Sequence, residues 1–357
     1  MASASEILLL PGDGIGVEVI AGARRVLEHV AELSGFALSF DTRLIGGAAM
    51  RAGQPPLPGE TLSAARSASA VLLGAVGDPA FDHLAPGTRP ESALLALRQE
   101  LGVFANLRPA RAWPGLDAAG PLVPGVLAGT DLIVVRELMG GLYYGEPRGW
   151  DEAAGTAVNT LRYSREEIAR VARTAFDLAR RRRKRVVSVD KANVLEVSRL
   201  WRAVVTDIAR DYPDVALTHE YVDACAMKLV MAPASFDVIL TENMFGDILS
   251  DEAGAVCGSL GLLASASLGD GVGLFEPVHG SAPALAGRNM ANPIGAIGSA
   301  GLLLEYGLNR PIEAAAIERA VGAVLAGGER TADLAGPSAA PLGTIEFVDR
   351  VVEALHS

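Results

Sequence analysis

FDVILTENMFGDILSDEAG, residues 236–254, is the stretch on which the reading of this chain turns. A short apolar run of the kind that makes a buried strand passes directly into an apolar, glycine-punctuated segment with acids at Asp247 and Asp251. Spacing of i and i+4 puts both carboxylates on one face of a helix, about one turn apart, where they repel each other. Two readings are open. Acids near the positive N-terminal end of a helix are ordinary on a solvated face. The same pair is also half of a divalent-cation site, because a hard cation takes oxygen ligands and keeps several waters.

Outward from that stretch, apolar runs alternate with helical patterns. ILLL (7–10), VLLGAVG (71–77), GVLAG (125–129), DLIVVRE (131–137), RVVSVD (185–190) and FDVILTE (236–242) read as strands, and GVEVIAGARRVLEHVAELSG (16–35) reads as a helix. The fold class is therefore α/β. At 357 residues and 50% hydrophobic content the chain exceeds one ordinary core, which predicts two domains or one extended one. No solenoid period or low-complexity linker divides it. GGLYYGEPRGWDEAAGTAVNTLRYS (140–164) has aromatics and glycines without a helical period, and reads as a hairpin-like arm of the kind that pairs with a partner subunit.

Composition excludes several function classes. No apolar run approaches a membrane span, and the first residues, MASASEILLLPGDG, lack a basic region followed by a long apolar one, so a cytoplasmic location is expected. Cys225 and Cys257 form no CxxC pair, and the 5 histidines are scattered, so any metal must rest on carboxylates. A net charge of −11 argues against a nucleic-acid partner. The basic run Arg180 to Arg185 is the exception; its placement at the end of an amphipathic helix beginning near Ser164 favours complementing the helix dipole over binding a polyanion.

Candidate chemistry is spread along the chain. GDGIG (12–16) follows the first strand and opens a helix, so it is either an anion cradle or a plain tight turn. Glu91, Leu94, Leu95 and Arg98 share a helical face that is either core or the wall of a pocket for a substrate part anionic and part apolar. Arg108 and Arg136 are each expected at the end of a strand, where a guanidinium fork suits a carboxylate. Three such arginines suggest a polycarboxylate. Lys191 ends an apolar strand, a place for a general base, and Tyr143 offers a phenol as proton donor.

The segments PGDGIG, ESALLALR, FANLRP, VVRELMGGLYYGEPRG, VSVDKANVLE, EYVDACAMKLV, TENMFGDILSDEAG, GLLASASLG, EPVHGSAP and ANPIGAI, in that order, resemble the signatures of the β-decarboxylating dehydrogenases, and of their isopropylmalate branch most closely. The resemblance implies a two-domain, isopropylmalate-dehydrogenase-like fold with a shared long sheet, not a Rossmann fold. It implies a discontinuous cofactor-binding domain of residues 1–103 and 258–357, and a dimerisation and metal/substrate domain of residues 104–257 with a protruding arm around 141–163. It further implies a homodimer with the active site shared between subunits. Asp247 and Asp251, with Asp223 of the other subunit, would hold Mg²⁺ or Mn²⁺. Arg98, Arg108 and Arg136 would hold the two carboxylates of a malate skeleton, Leu94 and Leu95 would meet an alkyl group, and Glu91 belongs to the same recognition helix. Lys191, from the partner subunit, and Tyr143 would serve as base and acid. Gly74, Glu91, Asn193, His279, Gly280, Ser281, Ala282 and Asn292 would bind NAD.

The activity implied is metal-dependent oxidation and decarboxylation of (2R,3S)-3-isopropylmalate to 4-methyl-2-oxopentanoate, a step toward leucine. Other 3-alkylmalates, tartrate and homoisocitrate are alternatives, since Met139 and Asp78 depart from the family's usual threonine and glycine. Ala284 and Leu285 stand where NAD-using relatives commonly start with an aspartate and NADP-using ones with a lysine; with no basic residue at either position, NAD is expected, and Arg288 is near enough in sequence to approach a 2′-phosphate. Outside the family, a metal-dependent phosphate-ester enzyme or a binding module would leave the arginines, lysine and tyrosine unexplained.

Overall fold

The computed structural model describes residues 4–116, 120–123, 125–336 and 340–356. The chain divides into two compact units, one of Met1–Val103, Trp113–Pro121 and Gly258–Ser357, the other of Phe104–Ala112 and Leu122–Cys257. The α/β class expected from the sequence is the class observed.

The first unit opens with β1 (Ser5–Gly12), α1 (Gly16–Ser34), β2 (Leu38–Thr42), α2 (Gly47–Arg51), α3 (Gly59–Ser67), β3 (Ala70–Ala75) and α4 (Ser92–Leu101). Helix α1 buries Val19, Ile20, Ala23, Val26, Leu27, Val30 and Ala31, the i, i+3, i+4 set that its sequence spells out. Both β2 and β3 pair parallel with β1.

The second unit comprises β4 (Ala105–Arg111), β5 (Asp131–Glu137), β6 (Gly149–Asp151), β7 (Thr156–Val158), α5 (Arg165–Arg180), β8 (Arg185–Asp190), α6 (Glu196–Ala209), β9 (Ala216–Tyr221), α7 (Val222–Met231), β10 (Val238–Thr241) and α8 (Asn243–Cys257). Its strand order is β4-β5-β10-β8-β9, antiparallel between β4 and β5 and parallel elsewhere. β6 and β7 form the separate hairpin of the aromatic arm, with Trp150, 74% exposed, at the middle of β6. The expected strand at GVLAG is absent: Gly125 and Gly129 have φ of 98° and 74°, and Val126 and Thr130 donate to the carbonyls of Val123 and Leu127, so the segment is a succession of turns. The basic run closes α5 and is spent locally: Arg180 and Lys184 pair with Asp214, and Arg182 with Asp131 and Asp237.

The chain returns to the first unit with β11 (Ala264–Leu268), β12 (Leu274–Pro277), α9 (Ile294–Leu302), α10 (Pro311–Ala326) and α11 (Thr344–Ala354). The order there is β2-β1-β3-β12-β11, with β12 parallel to β3 and antiparallel to β11. Among the described residues no helix is long and apolar enough to cross a membrane.

Candidate active site

In the second unit the antiparallel register sets Asn106 opposite Arg136 and Arg108 opposite Val134. Directly opposed residues point to the same face, as do residues two apart, so Asn106, Arg108 and Arg136 share one face of the sheet. Helix α8 lies against that face because position 246 is glycine: a Cβ there would come within 2.7 Å of Cβ and Cγ of Arg136. Arg108 was expected at a strand end; it sits inside β4, since pairing with β5 continues past Pro109 to Arg111.

The acids of α8 meet these arginines. Arg108 donates through Nε to Asn106 Oδ1 at 2.8 Å and through Nη1 to Ser250 Oγ at 2.8 Å and Asp251 Oδ1 at 3.1 Å, and its Nη2 lies 3.5 Å from Asp247 Oδ1. Arg136 donates through Nε to Asn243 Oδ1 at 2.9 Å and through Nη1 to Asp247 Oδ1. The Tyr143 hydroxyl donates to Asp247 Oδ2 at 2.9 Å, with the Arg136 guanidinium 5.7 Å from its ring centroid. The arginines are buried while the Asp247 and Asp251 side chains are 34% and 55% exposed, so the charge cluster is rooted in the sheet and open on the helix side.

Lys191, just past β8, pairs through Nζ with Asp223 Oδ1 of α7 at 2.5 Å, and Asn193 is exposed in the following turn. That pairing, above all, holds the Asp223 carboxyl below its ordinary range. Asp223 does not join Asp247 and Asp251 within the chain: among the described residues no three His, Cys, Asp or Glu side chains gather as metal ligands.

In the first unit α4 buries Ala93, Leu97, Arg98 and Leu101, and leaves Leu94 half-exposed and Leu95 45% exposed. The leucine pair is thus not core. Arg98 donates to Glu276 at 2.5 Å, both groups buried. Glu91, at the N-terminal boundary of α4, brings Oε1 to 3.0 Å from where a Cβ on Gly77 would lie, with Ser281 Oγ at 3.4 Å from the same point. His279 is half-buried and donates from Nδ1 to the Gly280 carbonyl at 3.0 Å; burial pushes its pKa down. Ala282 is held at a φ of 37°. Asn292 accepts the Ile294 N–H at 3.0 Å at the head of α9 and donates to Asp333 at 3.0 Å. Gly74 is buried in β3, where a Cβ would lie 2.4 Å from the Pro11 carbonyl oxygen. Arg288 turns back onto its own loop, donating to the Ala284 carbonyl at 3.3 Å.

GDGIG is a turn rather than an anion cradle. The amides of Asp13, Ile15 and Gly16 go to the carbonyls of Ala75, Ser281 and Asp13, and the Asp13 carboxylate accepts from the amides of Gly47, Ala48 and Gly77. Gly14, at a φ of 57°, is required because a Cβ there would lie 1.9 Å from the Ser281 carbonyl oxygen. The turn therefore fixes the Gly77 and Ser281 segments against each other.

Comparison with known proteins agrees with these two constellations. The family model for isocitrate/isopropylmalate dehydrogenase matches residues 6–351. The chain belongs to this family. It is 51% identical over 353 residues to a 3-isopropylmalate dehydrogenase of Aquifex aeolicus, covering 98% of this chain and 97% of that one. It is 54% identical over 360 residues to a 3-isopropylmalate dehydrogenase of Gloeobacter violaceus, covering 100% and 99%. The crystal structure of an isocitrate dehydrogenase from Methylococcus capsulatus superposes with a TM-score of 0.86 at 37% identity, covering 99% of this chain and all of that one.

The family uses a divalent metal, and the two hard-oxygen donors on this helix face, Asp247 and Asp251, fit one. Asp247 and Asp251 lie 3.5 and 3.1 Å from the single Arg108 guanidinium, so one positive group already reaches both carboxylates. Burial raises the Asp251 carboxyl and Arg108 opposes that rise. Burial, then the bond to Asp247, raises the Tyr143 phenol, which stays protonated at neutral pH. Sequence reasoning passed over Asn106, Asn243, Ser250 and Glu276, which hold the three arginines. Asn243 and Ser250 lie four before and three after Asp247, on the same helix face, and that periodicity could have found them. Glu276 is 178 residues from Arg98 and leaves no such signal.

Proposed function

We propose that this dehydrogenase oxidises and decarboxylates (2R,3S)-3-isopropylmalate to 4-methyl-2-oxopentanoate in leucine biosynthesis, with NAD and Mg²⁺ or Mn²⁺, as a cytoplasmic homodimer. The observation that carries the substrate choice is the exposure of Leu94 and Leu95 on α4, one helical turn from the buried Arg98. An apolar pair left out of the core beside a carboxylate-binding cation suits a dicarboxylate with a branched alkyl group. The names of the relatives above, at 51% and 54% identity over nearly the full chain, support the same substrate.

Arg98, Arg108 and Arg136 hold the two substrate carboxylates by charge-assisted hydrogen bonds. Each is already seated on an acid of the chain, so each is positioned in advance. Lys191 of a second copy would take the proton of the C2 hydroxyl, directly or through water, and NAD, when bound, would supply the hydride acceptor. Asp247 and Asp251, with Asp223 of a second copy, would hold the cation, which when bound would supply positive charge where negative charge develops. Tyr143, kept protonated, returns a proton to C3 of the decarboxylated product. Glu91, Asn193, His279 to Ala282 and Asn292 bind the NAD, and Gly74 lets the first βα turn pack closely beneath it. Residues 1–103 with 258–357 form the cofactor domain and 104–257, apart from the 113–121 segment that belongs to the first compact unit, the dimerising one. That no third acid joins Asp247 and Asp251 as a metal-ligand group among the described residues, and that the hairpin carrying Trp150 is exposed, support the second copy.

The test is kcat/KM for NAD reduction with Mn²⁺ over 3-isopropylmalate, 3-ethylmalate, malate, isocitrate, tartrate and homoisocitrate. The proposal expects 3-isopropylmalate first, related alkylmalates within about 200-fold of it, and isocitrate last. Preference for tartrate, isocitrate or homoisocitrate overturns it.

A further inference from the structure

Tyr163 is buried, 6% exposed, and its ring packs against the turn that leads to Tyr143. A Cβ on Gly140 would fall 2.4 Å from Tyr163 Cε1, and one on Gly141 would fall 2.8 Å from its hydroxyl oxygen. Gly141 itself has a φ of 77°. The phenol is enclosed by polar partners from two elements. Its oxygen accepts the Asn243 N–H at 3.0 Å, and it contacts the carboxylates of both Glu137 and Glu242. Glu137 accepts the amides of Met139 at 3.0 Å and Gly140 at 2.8 Å, which shapes the turn. Glu242 accepts the amides of Met244 at 3.1 Å and Phe245 at 2.9 Å, which caps α8. Asn243 completes the joint, donating to the carbonyls of Leu138 and Gly140 at 3.2 and 3.0 Å while accepting from Arg136.

One of these two elements carries Tyr143 and the other carries Asp247. The bond between those residues therefore spans a joint whose centre is the Tyr163 hydroxyl. We propose that Tyr163 is a positioning residue for Tyr143: it locks the Gly140–Gly141 turn to the start of α8 so that the Tyr143 phenol is aimed where a proton must be delivered. This rests on the reading of Tyr143 as proton donor given above. Tyr163 touches no reacting atom; it acts by removing freedom from a turn that two glycines would otherwise leave loose.

The experiment is a double-mutant cycle on the metal-loaded enzyme with NAD and saturating 3-isopropylmalate. Tyr163→Phe keeps the ring that packs on the glycines and removes only the hydroxyl. It should lower kcat about tenfold while KM stays within about twofold. In a Tyr143→Phe background the same change should move kcat by less than about twofold, because the group it positions is gone. Equal losses in the two backgrounds, or no loss in either, overturn the proposal. If Tyr143→Phe alone keeps full kcat, the proton-donor reading fails first and this inference with it, an outcome distinct from additivity. Glu137→Gln, which retains one amide acceptor but alters the phenol's partner, gives a second cycle with the same expected non-additivity should Tyr163→Phe fold poorly.

Discussion

The Tyr143 hydroxyl donates to one oxygen of the Asp247 carboxylate at 2.9 Å while Arg136 takes the other. A single carboxylate thus joins the proposed proton donor to a proposed substrate-binding arginine, and it lies on the helix face that also carries Asp251. Because burial and this bond both raise the phenol's pKa, the proton is present when it is needed.

Tyr143→Phe should therefore lower kcat by about 10²-fold or more, the usual range for losing a positioned acid, with a small change in KM. Since the residue is 37% exposed, thermal unfolding should hardly move. Steady-state kinetics with a melting curve on the same sample checks both.

Asp247→Asn keeps one of the two oxygens that accept from Arg136 and Tyr143 and removes a charge from the proposed cation site. Calorimetric titration of Mn²⁺ should show binding weakened about tenfold or more, because affinity for hard cations follows ligand charge. Chelator treatment of the unaltered enzyme should abolish turnover, and added Mg²⁺ or Mn²⁺ should restore it.

Leu95→Ala should reduce kcat/KM for 3-isopropylmalate about tenfold and leave malate nearly unchanged, since one or more lost apolar contacts discriminate by ~1–3 kcal/mol. With Leu95 45% exposed, stability should be almost unaffected. Equal losses on both substrates would place the side chain away from the alkyl group.

Much of this was legible in the sequence, and the reasons differ by residue. Period-2 and apolar runs gave β1, β3, β5, β8 and β10 because fully buried parallel strands leave little room for polar residues. GVLAG has the same composition but is broken by left-handed glycines, a property of backbone angle that composition does not encode. The pairing of Asp247 with Asp251 follows from helical spacing alone. That Arg108 and Arg136 converge on them depends on the β4–β5 register and on Gly246, contacts more than 100 residues apart in the chain. The leucines of α4 were ambiguous between core and pocket, and only their exposure decides between those readings.

His219 gives a pH dependence of stability. Burial, and secondarily Arg202, lower its pKa from 6.5, so the folded state resists its protonation. The unfolded chain binds the extra proton first, and stability present above about pH 6.5 is lost as pH falls from there through the folded-state value. Urea unfolding at a series of pH values below 7 should show a flatter decline for His219→Gln than for the unaltered protein.

The central claim is oxidation coupled to decarboxylation, and its most direct measurement is the ratio of CO₂ released to NADH formed from 3-isopropylmalate in the presence of Mn²⁺. The account predicts equal amounts of the two, with 4-methyl-2-oxopentanoate as the organic product and neither formed after chelation. NADH formed without CO₂, or no NADH from this substrate at all, would contradict it.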